Sequence, residues 1–299
     1  MPKRPVNIDR VRQHLDDDRQ FGPSIPLDLL ASIFPHTPEI LFHYTTPHGL
    51  LGILSEGSIR ATHIRYMNDY AEMTRGIDLV QAAYDHFREH NKSRVPRLLP
   101  LVKIRELCAA LDVFAFCLSS RRDQLSQWRA YCGMGPGFAF GFDRRGLGEL
   151  RTPHAGQSVI PVRIDYGEDA EGSMAYLDGI VRAAEEDNNL SSTYLRQTIC
   201  DILVAEALKF KNPSFAEEGE WRFVVVQARR SVGTEFGVRR ERIVPFLRLT
   251  PPESKLPIRE LHLGPGSDTE LDMSAAADLL RSNGYEKASV AVSGASYRP

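Results

Sequence analysis

Glu218, Glu220 and Arg222 alternate along the stretch Glu218-Gly219-Glu220-Trp221-Arg222-Phe223. On a strand all three project from one face, with Trp221 and Phe223 on the other. Two carboxylates beside a guanidinium either form an internal ion pair or stabilise an oxocarbenium-like centre through field and hydrogen bond. Two more polar insertions stand in apolar surroundings: His43-Tyr44-Thr45-Thr46 after Leu41-Phe42, and Tyr66-Met67-Asn68-Asp69 ahead of Ala71-Glu72. An unsatisfied buried polar group costs about 1–3 kcal/mol, so three such insertions point to one shared pocket.

Each segment also has a plainer reading. His43 and Tyr44 end a strand just before a helix N-terminus, whose free N–H groups attract anions and sugar or phosphate oxygens; they are equally suited to the rim of the core. Asp69 and Glu72 have the spacing of a capping box, while Tyr66 and Asn68 precede the cap and can face the same cleft as His43. Trp128, flanked by Gln127 and Arg129 and preceded by Arg121 and Arg122, fits a core anchor or a phosphate-facing helix. No Ser-His-Asp triad, Walker loop or dinucleotide fingerprint is present, since Gly133-x-Gly135-x-Gly137 leads into a strand and not a helix.

The elements that position these residues follow from punctuation and period. Glu39 to Tyr44 reads as a strand, Thr46 as an N-cap with Pro47 at the first helical position, and Gly57 as the stop of a helix buried through Leu50, Leu51, Ile53 and Leu54. A return strand over 58–62 and a helix from Asp69 to about Asn91 follow. Strands are expected at 113–118, 138–142, 159–166, 221–227, 244–249, 260–263 and 288–293, and helices at 124–131, 170–187, 190–210 and 273–283. The sequence thus divides into an N-terminal extension, 1–38, with an amphipathic segment from Ile25 to Phe34, and a single α+β domain, 39–299, carrying a helical insertion near 168–211.

Composition narrows the class. The 299 residues are 42 % hydrophobic and 25 % charged, with a formal net charge of −2 and a pI near 6.5, so the surface as a whole is not a nucleic-acid footprint. Five arginines against two glutamates between Arg229 and Arg242 read as solvated loop charge. Cys108, Cys117, Cys132 and Cys200 show neither a C-x-x-C pair nor a histidine at ligand spacing, so no zinc site or disulfide framework is indicated and a reducing cytoplasm fits. No apolar run reaches the ~18 residues of a spanning helix, and the first residues do not read as a signal peptide; no membrane association is expected.

Taken in order, these segments resemble a large, mostly bacterial family known only as domain of unknown function 2971. The resemblance rests on His43-Tyr44-Thr45, Asn68-Asp69-x-x-Glu72, Ser119-Ser120, Trp128-x-x-Tyr131, Phe210-Lys211, Glu218-x-Glu220-x-Arg222, Leu263-Gly264-Pro265 and Ser293-x-x-Ser296-Tyr297-Arg298, across 40–298. The opening, His43-x-Thr45 followed by Gly49-Leu50-Leu51-x-Ile53-Leu54 and Gly57, is similar to ADP-ribosyltransferase-like domains, as is Glu218-x-Glu220. Asn68, Asp69, Glu72 and Arg222 have no obvious counterpart there.

That second resemblance implies an α+β fold with a split antiparallel sheet core flanked by helices, and NAD as substrate. It implies that His43 with Thr45 holds the ribose, that Tyr44 or Tyr66 stacks near nicotinamide, and that Ser119 stands in the middle motif. Glu220 would orient the 2′-hydroxyl and Glu218 would activate the acceptor, with Asn68 and Arg222 around the same cleft. The expected reaction is cleavage of the nicotinamide–ribose bond, passing ADP-ribose to a macromolecule, nucleic acid or protein, or to water; Glu220→Gln is expected to abolish it with little effect on stability. The alternatives are a phosphodiesterase or nuclease holding a divalent ion on Asp69, Glu72, Glu218 and Glu220, and a non-catalytic nucleotide sensor of the kind used in phage defence or toxin modules.

Overall fold

The computed structural model describes residues 38–295 apart from 68–69, 93–98, 100, 133–136, 154–158, 168–169, 171–173, 175–176, 179–180, 182–191, 230–232, 240, 254 and 267–268. The chain runs β1 (Ile40–Thr45), α1 (Pro47–Glu56), β2 (Ile59–His63), a 3-10 turn (Ile64–Tyr66), α2 (Tyr70–His90), α3 (Ile104–Ala110) and β3 (Leu111–Ser119). It continues through α4 (Leu125–Tyr131), β4 (Phe138–Asp143), α5 (Arg144–Gly148), β5 (Ile160–Arg163), α6 (Ser192–Ala207), a 3-10 helix (Pro213–Glu218) and β6 (Glu220–Ala228). The last elements are β7 (Glu235–Arg239), β8 (Arg242–Leu249), β9 (Ile258–Leu263), α7 (Thr269–Ser282) and β10 (Ser289–Val292).

The ten strands form one open, mostly antiparallel sheet; among the described strands only β9 and β10 pair in parallel. β3 is its hinge. Along one edge it pairs with β6 over its whole length, Leu111↔Ala228 to Ser119↔Glu220. The other edge is shared: β2 takes Phe114 and Ala115, and β1 touches only at Phe42↔Ser119. Between those contacts, on that edge, Phe116, Cys117 and Leu118 have no described strand beside them, and the sheet forks. One wing runs through β1, β4, β9 and β10, the other through β2, β8 and β7.

The all-apolar run in β3 follows from cover on both faces. Val113 and Ala115, with Val224 of β6, pack under α2, α3 and α6 beside Tyr84, Leu107 and Leu203. Phe114, Phe116 and Leu118, with Phe223 and Val225, face a second core closed by α1 and α7 through Leu50, Leu54 and Leu280. Odd and even positions thus serve different cores. The Thr46 cap of α1 forms as its sequence predicts: Oγ1 accepts from the Gly49 N–H at 3.3 Å, Pro47 opens the first turn, and Gly57 ends the helix at φ +57°.

Three readings change. β7 lies inside the arginine-rich stretch read as loop charge: all five of its residues pair with β8, from Glu235↔Phe246 to Arg239↔Arg242, with Phe236 and Val238 alternating between polar or small neighbours. Glu218 does not lie on the strand with Glu220: it ends the 3-10 helix, and Gly219, at φ +52°, turns the chain into β6. Helices α3 and α5 were not anticipated. The segment Ile25–Phe34 and the cap at Asp69 lie outside the described residues, as does most of 170–187. No helix among the described residues is long and apolar enough to cross a membrane.

Candidate functional site

The fork opens a cleft of about 650 Å³, within the range of about 300–1,000 Å³ common for small-molecule sites. Its walls come from β1 and α1 (His43, Thr45, Gly49), from the unpaired part of β3 (Phe116, Cys117, Leu118), from α4 (Gln127, Tyr131), and from Glu218, Glu220, Val238 and Arg239. By strand alternation His43 starts on the Phe116 side of the sheet and Glu220 on the Cys117 side. They line one cleft because the missing pairing between β1 and β2 lets the opening pass through the sheet.

Cys117 joins the two sides. Its carbonyl, left over on the open edge, accepts a hydrogen bond from His43 Nδ1 at 3.0 Å, and the imidazole packs 4.5 Å from the Phe116 ring. Burial lowers the His43 pKa to about 4, against the opposing pull of that carbonyl and with help from the charge on Arg239. The ring is therefore neutral at pH 7 with its proton on Nδ1, leaving Nε2 as an acceptor. Burial, with Glu220 next, raises the Cys117 thiol well above the ordinary thiol range, so it stays protonated and is no nucleophile.

At the start of β6 a buried charge network surrounds Glu220. Arg222 donates to it from Nε (2.7 Å) and Nη2 (3.2 Å), and Lys211 Nζ donates at 3.0 Å. Lys211 also bonds Glu218 at 2.7 Å, so one ammonium bridges the two carboxylates. Burial pushes the Glu220 carboxyl up, but the Arg222 guanidinium and then the Lys211 ammonium outweigh it and hold the pKa at about 2. Arg222 is anchored behind, through Nη1 to the Leu208 carbonyl at 2.9 Å, and does not line the cleft.

The other residues read from sequence divide by use. Ser119 does not line the cleft: its hydroxyl donates to the Glu218 carbonyl and accepts from the Arg121 N–H, while the Ser120 N–H reaches the Gly219 carbonyl at 2.9 Å. The two serines clamp the loop that delivers Glu218. Tyr44 lines the cleft, but its hydroxyl donates to the Arg121 carbonyl at 2.7 Å and accepts from the Gln124 N–H at 3.1 Å, fixing the start of α4. Thr45 stands against Gly49, where a Cβ would lie 2.0 Å from its Oγ1. Tyr66, 48 % exposed and edge-on to His63, is not among the lining residues. Asn68 lies outside the described residues.

Lys211, Tyr131, Cys117 and Arg239 were not assigned a role from sequence. Lys211 enters the sequence reading only through the Phe210-Lys211 resemblance; nothing local marks it as a partner of Glu218, seven residues on, which it meets only because the 3-10 helix folds back. Tyr166 was also missed: its hydroxyl accepts from the Glu220 N–H at 2.8 Å and pins the first residue of β6.

No curated protein and no solved structure matches the chain. Residues 127–223 match the model of a family described as Protein of unknown function (DUF2971); that span includes Tyr131, Lys211, Glu218, Glu220 and Arg222, and the match supports that family for this part of the chain.

Proposed function

We propose that the cleft binds NAD and that the protein is an ADP-ribosyltransferase-like enzyme. The supporting observation is the forked sheet, which brings a neutral histidine on β1 and a Glu-x-Glu segment at the start of β6 onto one cleft across a single shared strand. In this reading His43 Nε2 accepts from a ribose hydroxyl. Glu220, anionic at every working pH, faces positive charge developing at C1′ as the C1′–N bond breaks and its electron pair leaves with nicotinamide. Glu218 takes the proton from the attacking hydroxyl or water. Lys211 and Arg222 hold both carboxylates in place.

One observation favours a second reading, nucleotide binding without turnover. A carboxylate has about four lone-pair sites, and three of those of Glu220 are taken by Arg222 twice and Lys211 once. A ligand hydroxyl finds little of it left without displacing one of these. The divalent-ion reading is weaker, because the Lys211 ammonium already stands between Glu218 and Glu220.

The test is nicotinamide release from NAD in the presence of chelator, with and without DNA, RNA and cell lysate, for wild type, Glu218→Gln and Glu220→Gln. Release by wild type that falls by about 10²-fold or more in folded Glu220→Gln, the scale of one lost transition-state contact, fits the enzyme. Calorimetric NAD binding without release fits the second reading. Equal release by all three proteins, or neither binding nor release, ends both.

A further inference from the structure

The cleft borrows Val238 and Arg239 from the end of the β7–β8 hairpin and leaves the rest of that hairpin unexplained. β8 pairs with β2 only from Phe246 to Leu249, so Arg242–Pro245 and β7 form a two-stranded ribbon beyond the sheet. Register sets Phe236 opposite Pro245 and Val238 opposite Ile243 on one face. Phe236, Val238 and Ile243 are 68 %, 78 % and 70 % exposed. Isolated exposed apolar residues are ordinary; three on adjoining positions of one ribbon mark a surface that meets a partner.

β7 is also a terminal strand, with no described strand on its outer edge. The other outer edges of the sheet are guarded: β5 carries Pro161, which has no N–H to offer, and β10 has four residues, three of them partly buried. β7 has neither proline nor lysine to blunt it.

We propose that β7 joins a second copy of this chain, the two strands pairing antiparallel about a two-fold axis at Gly237. Glu235-Phe236-Gly237-Val238-Arg239 is self-complementary in that register: Glu235 meets the partner's Arg239, Phe236 meets the partner's Val238, and the pattern repeats on the other side of the axis. Such an isologous fit needs opposite charges at the two ends of the strand, and β7 has them. Arg239 has no carboxylate partner among the described residues. Glu235, though bonded to Arg248 at 2.7 Å, is still 42 % exposed and open to a second cation. The aliphatic Val238 and Ile243 offer no stacking face for a nucleic acid, and Glu235 and Glu241 lie among the arginines, so a second copy fits this ribbon better than a polyanion. Pairing there extends the sheet across both copies and holds whatever the cleft binds.

Sedimentation equilibrium of the full chain tests it. Wild type is expected to be dimeric, and Val238→Lys monomeric with an unchanged far-UV circular dichroism spectrum. Arg239→Glu is expected to raise the dimer dissociation constant at least about tenfold, because two opposite-charge cross-strand pairs become two like-charge pairs. Mixing the Phe236→Cys and Val238→Cys chains and oxidising is expected to give more covalent dimer than either chain alone, since only unlike positions face each other. A monomer across the concentration range, a dimer indifferent to both charge substitutions, or equal cross-linking by like and unlike positions overturns the proposal.

Discussion

Two strands of this molecule carry the same local device. β6 presents Glu220 with Arg222 two residues on, and β9 presents Glu260 with His262 two residues on; each pair is buried and each carboxylate is joined by a cation from another part of the chain. In β6 that cation is Lys211, deep under the 3-10 helix. In β9 it is Arg122, whose guanidinium also donates to His262 Nε2 at 3.0 Å while its side chain is 59 % exposed. The residue types do not separate a cleft from a sealed cluster. Strand order does: both strands are paired on each edge, β9 by β4 and β10 and β6 by β3 and β5, but only β6 lies beside β3, whose far edge passes from β2 to β1 and leaves Phe116–Leu118 without a described strand in the middle of the sheet. A polar pair becomes a candidate site where the backbone beside it lacks a partner.

The comparison can be broken most severely at Arg222. Arg222→Ala takes one of two cations from buried Glu220 and leaves Lys211 to serve two carboxylates; removing one partner of a buried ion pair costs about 3–5 kcal/mol, an upper bound here, to be read from urea denaturation. Glu220→Gln is expected to destabilise by a smaller but measurable amount, contrary to the near-neutral effect its sequence context suggests, so its activity must be normalised to folded protein. An unchanged denaturation midpoint for both would show that the network does not hold the fold.

Acid separates the clusters next. The folded-state pKa of His43, about 4, lies below the ordinary 6.5, so the unfolded chain binds its proton first and stability falls as pH drops from 6.5 towards 4. A shift of this size is worth on the order of 3 kcal/mol. His63, also lowered by burial, adds to the slope. Glu220, held at about 2, contributes stability that is complete above its ordinary 4.5 and is lost as pH falls towards 2. His43→Gln should flatten the upper window and leave the lower one; a profile identical to wild type would mean that the imidazole is not held neutral.

The smallest effect belongs to β9. Glu260→Gln should cost only about 1 kcal/mol, because water screens the largely exposed Arg122, and should leave ligand binding in the cleft intact. A loss of NAD binding in this variant would show that the two wings are coupled.

Much of the scaffold was legible. The Thr46–Pro47–Gly57 punctuation of α1 and the apolar run of β3 came through because cap chemistry and two-sided burial write themselves into adjacent residues. The site was legible in part. His43, Glu218 and Glu220 stand out as polar groups in apolar context, yet nothing near them in sequence says that β1 and β2 part company along β3. Lys211 was opaque for the same reason, as its partners are reached through a turn of 3-10 helix and not through a repeat. β7 was lost because arginine density outweighed its short alternation of Phe236 and Val238. Asn68, Asp69 and the side chain of Glu72 lie outside the described residues.

The pairing of β3 with β6 also bears on how the chain emerges from the ribosome. β3 meets the residues that complete its longer edge only after a further stretch of about 100 residues, which takes roughly 5–20 s to synthesise at about 5–20 residues per second. Throughout that interval one side of its Val113–Leu118 run is an open template for any other extended chain. The growing protein has its greatest need of a chaperone there, and a message cut short before codon 220 yields a fragment whose central strand has nothing to close it.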